Sequence, residues 1–361
     1  MRLLFITSGL ARGSGGVADY TLLLAKECAR LGQEVALLGL NDDRADGALE
    51  SPALLRLGLG LPSRQRIATA QRWVEAFAPD AVSLQFVCYG FNPRGLCWSV
   101  ADSLRRILGA RPVQIMFHEL WIGAERGAGI KHRLVGTMQR RCVLRLFSLL
   151  NVRSAQTTNS AYAGLLGAHG LAAGVLPLFG NLPASTKPPR LERTSPWRFL
   201  IFGILPPEWP PEPLFTQLRG LGVPVEIIHA GRIGGGAELW KRMSRARAGA
   251  LTFRSAGELP PEELADLFSE VDFGISMTPW EIIGKSGSVA AMLEHGLPVI
   301  VNRDDVHYPG VIAAPPPHPL LLRMSDDLAA QLRAARRQPA QPRLTEIAEK
   351  FLASLEAAPA R

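Results

Sequence analysis

Three segments of the chain bring together residue types able to handle an anion or a sugar. The most informative is TPWEIIGKSGSVAAMLEHGLPVIV, residues 278–301, in which an apolar strand ends, Gly284, Lys285, Ser286, Gly287 and Ser288 form a loop, and an amphipathic helix begins. The first amides of a helix lack intrahelical acceptors and lie at the positive end of its dipole. With a lysine beside them they suit a diphosphate. The G-K-S run is not a P-loop, because that motif's earlier glycine is missing. Ser286 also stands where a serine caps a helix, and both readings remain open. Gly296 should stop this helix before the strand LPVIV.

The second segment, SGLARGSGG, ends on Gly15 and Gly16 just ahead of a helix that opens near Val17–Tyr20. Glycines let a backbone turn tightly and approach a ligand closely. The spacing departs from the dinucleotide fingerprint G-x-G-x-x-G, although Asn41, Asp42 and Asp43 lie near the place of its acidic residue and keep a dinucleotide reading open. The third is His118, with Glu119 beside it, at the end of the strand-like run IMFHELW. A neutral imidazole there can hydrogen-bond a sugar hydroxyl or orient the transferring group, and Glu119 can orient the imidazole or contact an acceptor. The plain alternative is a structural histidine bonded to a nearby carbonyl. The other histidines, 132, 169, 229, 295, 307 and 318, lack comparable surroundings.

The elements that must position these residues follow one grammar twice. RLLFITSG, QEVALLGL, DAVSLQFV and PVQIMFHEL read as buried strands, separated by the helical GGVADYTLLLAKECARLG, ATAQRWVEAFAP and ADSLRRILGA. Short apolar runs alternating with amphipathic helices are what a parallel sheet covered on both faces requires. After the polar, proline-rich ASTKPPRLERTSP the pattern restarts with WRFLIFG, PVEIIHAG, ALTFRSAG, FGISMT and LPVIVNR. This predicts an α/β protein of GT-B type, two Rossmann-like doubly wound domains facing an interdomain cleft. Residues 1–180 form the first domain and 181–340 the second, followed by a C-terminal amphipathic helix within 341–361. Ligands of such sheets sit at the carboxyl ends of the strands, where all three segments lie.

Composition agrees with a folded protein of that size. Of 361 residues, 47% are hydrophobic and 20% charged, which excludes disorder. The 35 glycines and 28 prolines show no period, so they punctuate turns. Cys28, Cys88, Cys97 and Cys142 form no CxxC pair, and they predict reduced thiols in a cytoplasmic protein without a metal centre. No apolar stretch is long enough to span a bilayer. The net charge of +8 suits anionic partners, and residues 131–153 concentrate Lys131, Arg133, Arg140, Arg141, Arg145 and Arg153 among apolar side chains. That pattern predicts either peripheral contact with an anionic membrane or a plain arginine-rich surface helix. With no recognition module or aromatic platform, nucleic acid is not an expected partner.

Taken in order, GGVADYTLLLAKEC, FHELW, TTNSAYAGLL and GKSGSVAAMLEHGLPVIV resemble glycosyltransferase family 4 and its GT-B relatives over nearly the whole chain. The resemblance implies a retaining, nucleotide-sugar-dependent, hexosyltransferase-like enzyme, with no cofactor and no catalytic metal. Its substrates would be a nucleotide-diphosphate sugar and a saccharide or lipid-linked acceptor, as in bacterial surface-polysaccharide or glycoconjugate synthesis at the inner face of the membrane. It places Gly15 and Gly16 against the donor phosphates or the acceptor, and His118 against the donor sugar. Arg12, Asp19, Tyr20 and Glu119 fall on the acceptor side. The nucleotide goes near Gly203, Gly231–Arg232 and residues 281–288.

Two departures stand out. The family's second glutamate falls on Ala290 or Ala291 and its first on Ile282 or Ile283, so the resemblance leaves the adjacent Glu281 to take the first one's place as a catalytic residue beside His118, accepting hydrogen bonds from donor hydroxyls, and Glu294 a turn too late. The basic pair expected after the first strand of the second domain is replaced by ILPPEWPPEP, with Glu208 and Glu212. Either the diphosphate is held by Lys285 and the loop amides, or the chain is a non-catalytic GT-B-like binding or partner subunit. A nucleotide-sugar epimerase of the same architecture is the other alternative.

Overall fold

The computed structural model describes residues 1–11, 15–42, 53–245, 251–313 and 318–357. The chain divides into two compact units, Met1–Pro177 with Tyr308–Ala313 and Leu344–Arg361, and Leu178–His307 with Ala314–Arg343.

Unit 1 is built on seven strands: β1 Arg2–Thr7, β2 Glu34–Gly39, β3 Ala53–Arg56, β4 Ala81–Phe86, β5 Pro112–Phe117, β6 Asn151–Thr157 and β7 Gly174–Val175. They lie in the order β3-β2-β1-β4-β5-β6-β7, and every pair is parallel. Its helices are α1 Gly16–Arg30, α2 Ser63–Phe77, α3 Cys88–Phe91, α4 Trp98–Leu108, α5 Ile130–Leu149 and α6 Ser160–Gly167. Leu3 to Ile6 and Leu37 to Leu38 are fully buried, as strands with helices on both faces must be.

Unit 2 holds β8 Trp197–Phe202, β9 Val225–Ala230, β10 Leu251–Gly257, β11 Phe273–Ser276, β12 Val299–Val301 and β13 Leu321–Arg323, in the parallel order β10-β9-β8-β11-β12-β13. Around it lie α7 Glu212–Arg219, α8 Ala237–Arg245, α9 Pro261–Glu270, α10 Gly287–Glu294 and α11 Leu328–Ala334. Phe199, Ile201, Phe215 and Phe273 are among the buried residues on one side of this sheet, and Leu200, Ile228, Phe268 and Met292 among those on the other. Gly296 ends α10 with φ 70°, and a β-carbon there would meet the Gln338 carbonyl oxygen at 1.8 Å. Only glycine satisfies both demands.

The last helix, α12 Leu344–Glu356, belongs to unit 1 and is not a free tail. It packs on α1, and Phe351 stacks on Phe5 of β1 with ring centroids 5.6 Å apart. Its buried stripe of Ile347, Ala348, Phe351 and Leu352 is the reason, since an apolar face of that width is stabilised by covering a sheet. No helix among the described residues is long and apolar enough to cross a membrane.

Candidate functional site

In unit 2 the strand order reverses between β8 and β11, so the loops leaving those adjacent strands open at the switch point of a doubly wound sheet. The loop after β8 begins at Gly203, whose φ is 99°. Next to it, Gly231 follows β9 with φ 104°, and a β-carbon there would lie 3.2 Å from the Gly203 Cα. His229 bonds through Nε2 to the Gly203 carbonyl at 2.9 Å, so it serves this turn as a structural histidine. Arg232 is exposed, with its Nε 3.9 Å from Glu258. Glu212 opens α7 and lies 3.5 Å from Arg219, and Glu208 is also exposed.

The loop after β11 carries Trp280–Lys285 as a 3₁₀ turn and then enters α10 at Gly287. Ser286 is the N-cap: its Oγ accepts from the Val289 amide at 3.3 Å and lies 3.1 Å from Ser288 Oγ. That leaves the Gly287 and Ser288 amides, which have no partner among the described residues. The serine therefore caps the helix, and the next two N–H groups have no partner among the described residues. Gly284 and Lys285 are half-buried beside them and Gly287 is exposed.

Glu281 accepts from His307 Nδ1 at 2.7 Å. The sequence offered no reason to single out His307, because the pairing joins residues 26 apart on different elements. Glu294 accepts from the Gly180 amide at 2.8 Å and so secures the incoming chain. Ala291 is buried against that same segment, its Cα 3.0 Å from where a Gly180 β-carbon would be.

In unit 1 the loop after β1 leads to Gly15, in extended conformation, and Gly16, the first residue of α1. A β-carbon on either would meet nothing within 4 Å, so the packing of this chain does not itself demand glycine there. Arg12 and Asp43 lie outside the described residues. Asp42 is buried; its Oδ2 accepts from the Leu10 amide at 2.7 Å and lies 3.6 Å from Arg56, so it anchors the loop and is closed to a ribose. Asp19 sits in the first turn of α1, half-buried. Tyr20 is buried and meets His118 edge-on, ring centroids 4.9 Å apart.

His118 follows β5, its amide donating to the Phe86 carbonyl at 3.0 Å, and it keeps 8% of its surface. Burial drives its pKa down from 6.5 to about 3, so the imidazole is neutral at physiological pH. Its Nε2 lies 2.8 Å from Gln85 Oε1 on β4, so Gln85, and not Glu119, is the orienting partner seen. Glu119 is half-buried, close enough to Tyr162 to help raise that phenol's pKa behind the larger effect of burial. The signal that could have found Gln85 is its type: a glutamine in a buried strand needs a partner. A cavity of about 130 Å³ also opens in unit 1, where Arg66, Ser99 and Ser103 face Ile67, Phe91 and Ile107. All four cysteines are free and buried, and no group of metal-ligating side chains is found among the described residues.

No protein-family model matches the chain, and no curated protein is similar to it in sequence. Solved structures do match over nearly its whole length, and they define the class: the chain has the GT-B fold, two Rossmann-like units on parallel sheets. The lipopolysaccharide outer core galactosyltransferase WaaB aligns at 15% identity with a TM-score of 0.57, covering 97% of this chain and 95% of that one. AviGT4, a glycosyltransferase involved in avilamycin A biosynthesis, aligns at 13% identity and a TM-score of 0.54, covering 99% and 97%. The UDP-GlcNAc 2-epimerase of Methanocaldococcus jannaschii aligns at 10% identity and a TM-score of 0.53, covering 99% of both chains. At these identities the likeness is one of fold.

Proposed function

We propose that the chain is a glycosyltransferase of the family 4 type. It moves a sugar from a nucleotide-diphosphate sugar to a saccharide or lipid-linked acceptor, with retention and without a metal. The observation that carries this reading is the start of α10, at the switch point of unit 2, where two amides without a partner among the described residues lie beside Lys285 and suit a departing diphosphate. As the sugar becomes oxocarbenium-like, negative charge grows on the leaving oxygen. Donors already in position stabilise that charge without reorganising. His118 accepts a hydrogen bond from a sugar hydroxyl.

A thermal-shift screen with UDP, GDP, ADP, TDP and CMP tests the reading, because a ligand that binds only the folded state raises its stability by about 2.7 kcal/mol at one hundred times its Kd. A rise with one diphosphate, followed by sugar transfer from the matching donor, supports it. No rise with any of them favours a non-catalytic partner subunit. The epimerase fold neighbour motivates one further control: donor incubated without acceptor, in which turnover to an epimer or a free sugar would overturn transfer as the activity.

Lys285→Ala should weaken nucleoside diphosphate binding by about 1 to 3 kcal/mol, the range for a charged hydrogen bond left unmade. Calorimetry showing wild-type affinity would remove Lys285 from the site.

The membrane-facing part of the same reading narrows to the first turn of α5. Arg145 is held by Asp102 through contacts of 2.8 to 3.2 Å, Arg140 meets His169 at 3.2 Å, and Arg153 lies in β6. At the other end Ile130 is 79% and Leu134 62% exposed, with Lys131, His132 and Arg133 exposed between them. Two exposed aliphatic side chains among cations suit an anionic lipid surface on its cytoplasmic side. Vesicles containing phosphatidylglycerol should co-sediment with the protein, less so as salt rises. Burying an aliphatic side chain is worth about 1.5 to 3 kcal/mol, so changing both Ile130 and Leu134 to Asp should lower binding at least about tenfold. Co-sedimentation unchanged by the double substitution would overturn this orientation.

A further inference from the structure

Three neighbouring central strands of unit 1 carry amides and a hydroxyl where strands covered on both faces ordinarily carry aliphatic side chains. Ser83 and Gln85 on β4, Gln114 on β5 and Gln156 on β6 are all buried. Ser83 stands opposite Gln114, and Met116 opposite Gln156, so the polar groups share one face of the sheet. They bond in a single row. Gln114 Nε2 donates to Gln156 Oε1 at 3.2 Å, Ser83 Oγ donates to Gln114 Oε1 at 2.6 Å, and Gln85 Nε2 donates to Ser83 Oγ at 2.7 Å. The row ends with Gln85 Oε1, 2.8 Å from His118 Nε2. A buried amide without a partner is costly, so such a row is stable only when its members satisfy one another.

We infer that this row fixes His118 as the Nε2–H tautomer and presents its Nδ1 as a hydrogen-bond acceptor for a ligand hydroxyl. Gln85 spends its amide nitrogen on Ser83, so it faces the imidazole with a carbonyl oxygen, which can only accept. Nε2 must therefore carry the proton, and a neutral imidazole has just one, so Nδ1 is left with a lone pair. Ser83 has a single proton and gives it to Gln114, so the row runs in one direction throughout, and the opposite tautomer requires all three amides to turn together. No described residue bonds Nδ1. The Tyr20 ring packs at 76° to the imidazole and limits its rotation. Gln85, Ser83, Gln114 and Gln156 act as positioning residues: they reach a ligand only through His118. The identity of the hydroxyl as that of a transferred sugar rests on the function proposed above, whereas the tautomer does not.

The test is nitrogen NMR on protein labelled with ¹⁵N-histidine, the His118 signals being assigned by their loss in His118→Phe. The expected spectrum has Nε2 in the protonated range and Nδ1 in the unprotonated range. Gln114→Leu leaves the Gln85–His118 bond in place but interrupts the row one link beyond Ser83, and it should shift the tautomer ratio at His118 at least tenfold. If Gln114→Leu does not fold, Gln156→Met breaks the far end and is read in the same way. A wild-type spectrum with the proton on Nδ1, or a ratio unmoved in the variant, overturns the inference. Adding the nucleotide sugar selected by the thermal-shift screen should move the Nδ1 signal. A tautomer as expected with Nδ1 unmoved by that sugar removes the acceptor role while leaving the tautomer standing. Failure of all diphosphates in the screen, by contrast, bears on the proposed function alone.

Discussion

Gly287→Pro should leave the fold intact and weaken nucleoside diphosphate binding about 10- to 100-fold. Gly287 is the first helical residue of α10, the position at which proline is best tolerated, because its fixed φ is already helical and the amide it lacks has no intrahelical acceptor. Proline also restricts the residue before it to extended backbone, and Ser286 already has φ −89° and ψ 106°. A β-carbon at Gly287 meets nothing within 4 Å. The substitution thus deletes one N–H and little else, so the melting temperature should hold or rise slightly. A hydrogen bond from that amide to an anion is worth about 1.5 to 3 kcal/mol, which is the affinity loss stated. Calorimetry with the diphosphate selected by the screen decides the matter: a well-folded variant of unchanged affinity would mean that the helix start does not hold the phosphates, and the proposed function would lose its main support.

His118→Phe should lower kcat/KM for transfer about 100-fold while leaving nucleoside diphosphate affinity unchanged, since the ring keeps its volume but loses both nitrogens. Its effect on stability has a sign that can be worked out. Burial depresses the folded-state pKa of His118 to about 3, against 6.5 for the free side chain, so between those values the unfolded chain takes up a proton that the folded chain refuses. Wild-type stability must therefore fall as pH drops from about 6.5 toward 3, and this contribution is absent in the variant. At pH 7 the variant should be the less stable, because Gln85 Oε1 loses its partner at a cost of about 1 to 3 kcal/mol. The gap should narrow steadily on acidification. Urea unfolding across that pH range checks it, and parallel curves for the two proteins would show that His118 is not held neutral by burial.

Much of the fold is legible in the chain itself. RLLFITSG, DAVSLQFV and PVQIMFHEL contain β1, β4 and β5 because short, mainly apolar segments, interrupted in β4 and β5 only by Ser83, Gln85 and Gln114, need cover on both faces, and the amphipathic stretches between them supply it. The same alternation in WRFLIFG, PVEIIHAG and FGISMT accounts for β8, β9 and β11. β3 and β13 carry no such signal. They are short, and pairing with a neighbour already in place stabilises them more than their own residues do. The tail helix was visible by its period, but the surface it covers was not, since α1 and Phe5 are more than 300 positions away.

At the candidate site the division is sharper. Residue types alone determined that loops rich in glycine and serine feed helix starts, that Ser286 can cap one of them, and that His118 ends a buried strand. Those are local matters of backbone geometry and hydropathy. Only the tertiary structure decided that Glu281 is paired with His307, that Asp42 is spent on the Leu10 amide, and that His118 is turned by Gln85 through a row of amides reaching Gln156. The physical reason is that a hydrogen bond is chosen by distance in space among many candidate partners, and that distance is set by strand register and helix packing, which no short window of sequence contains.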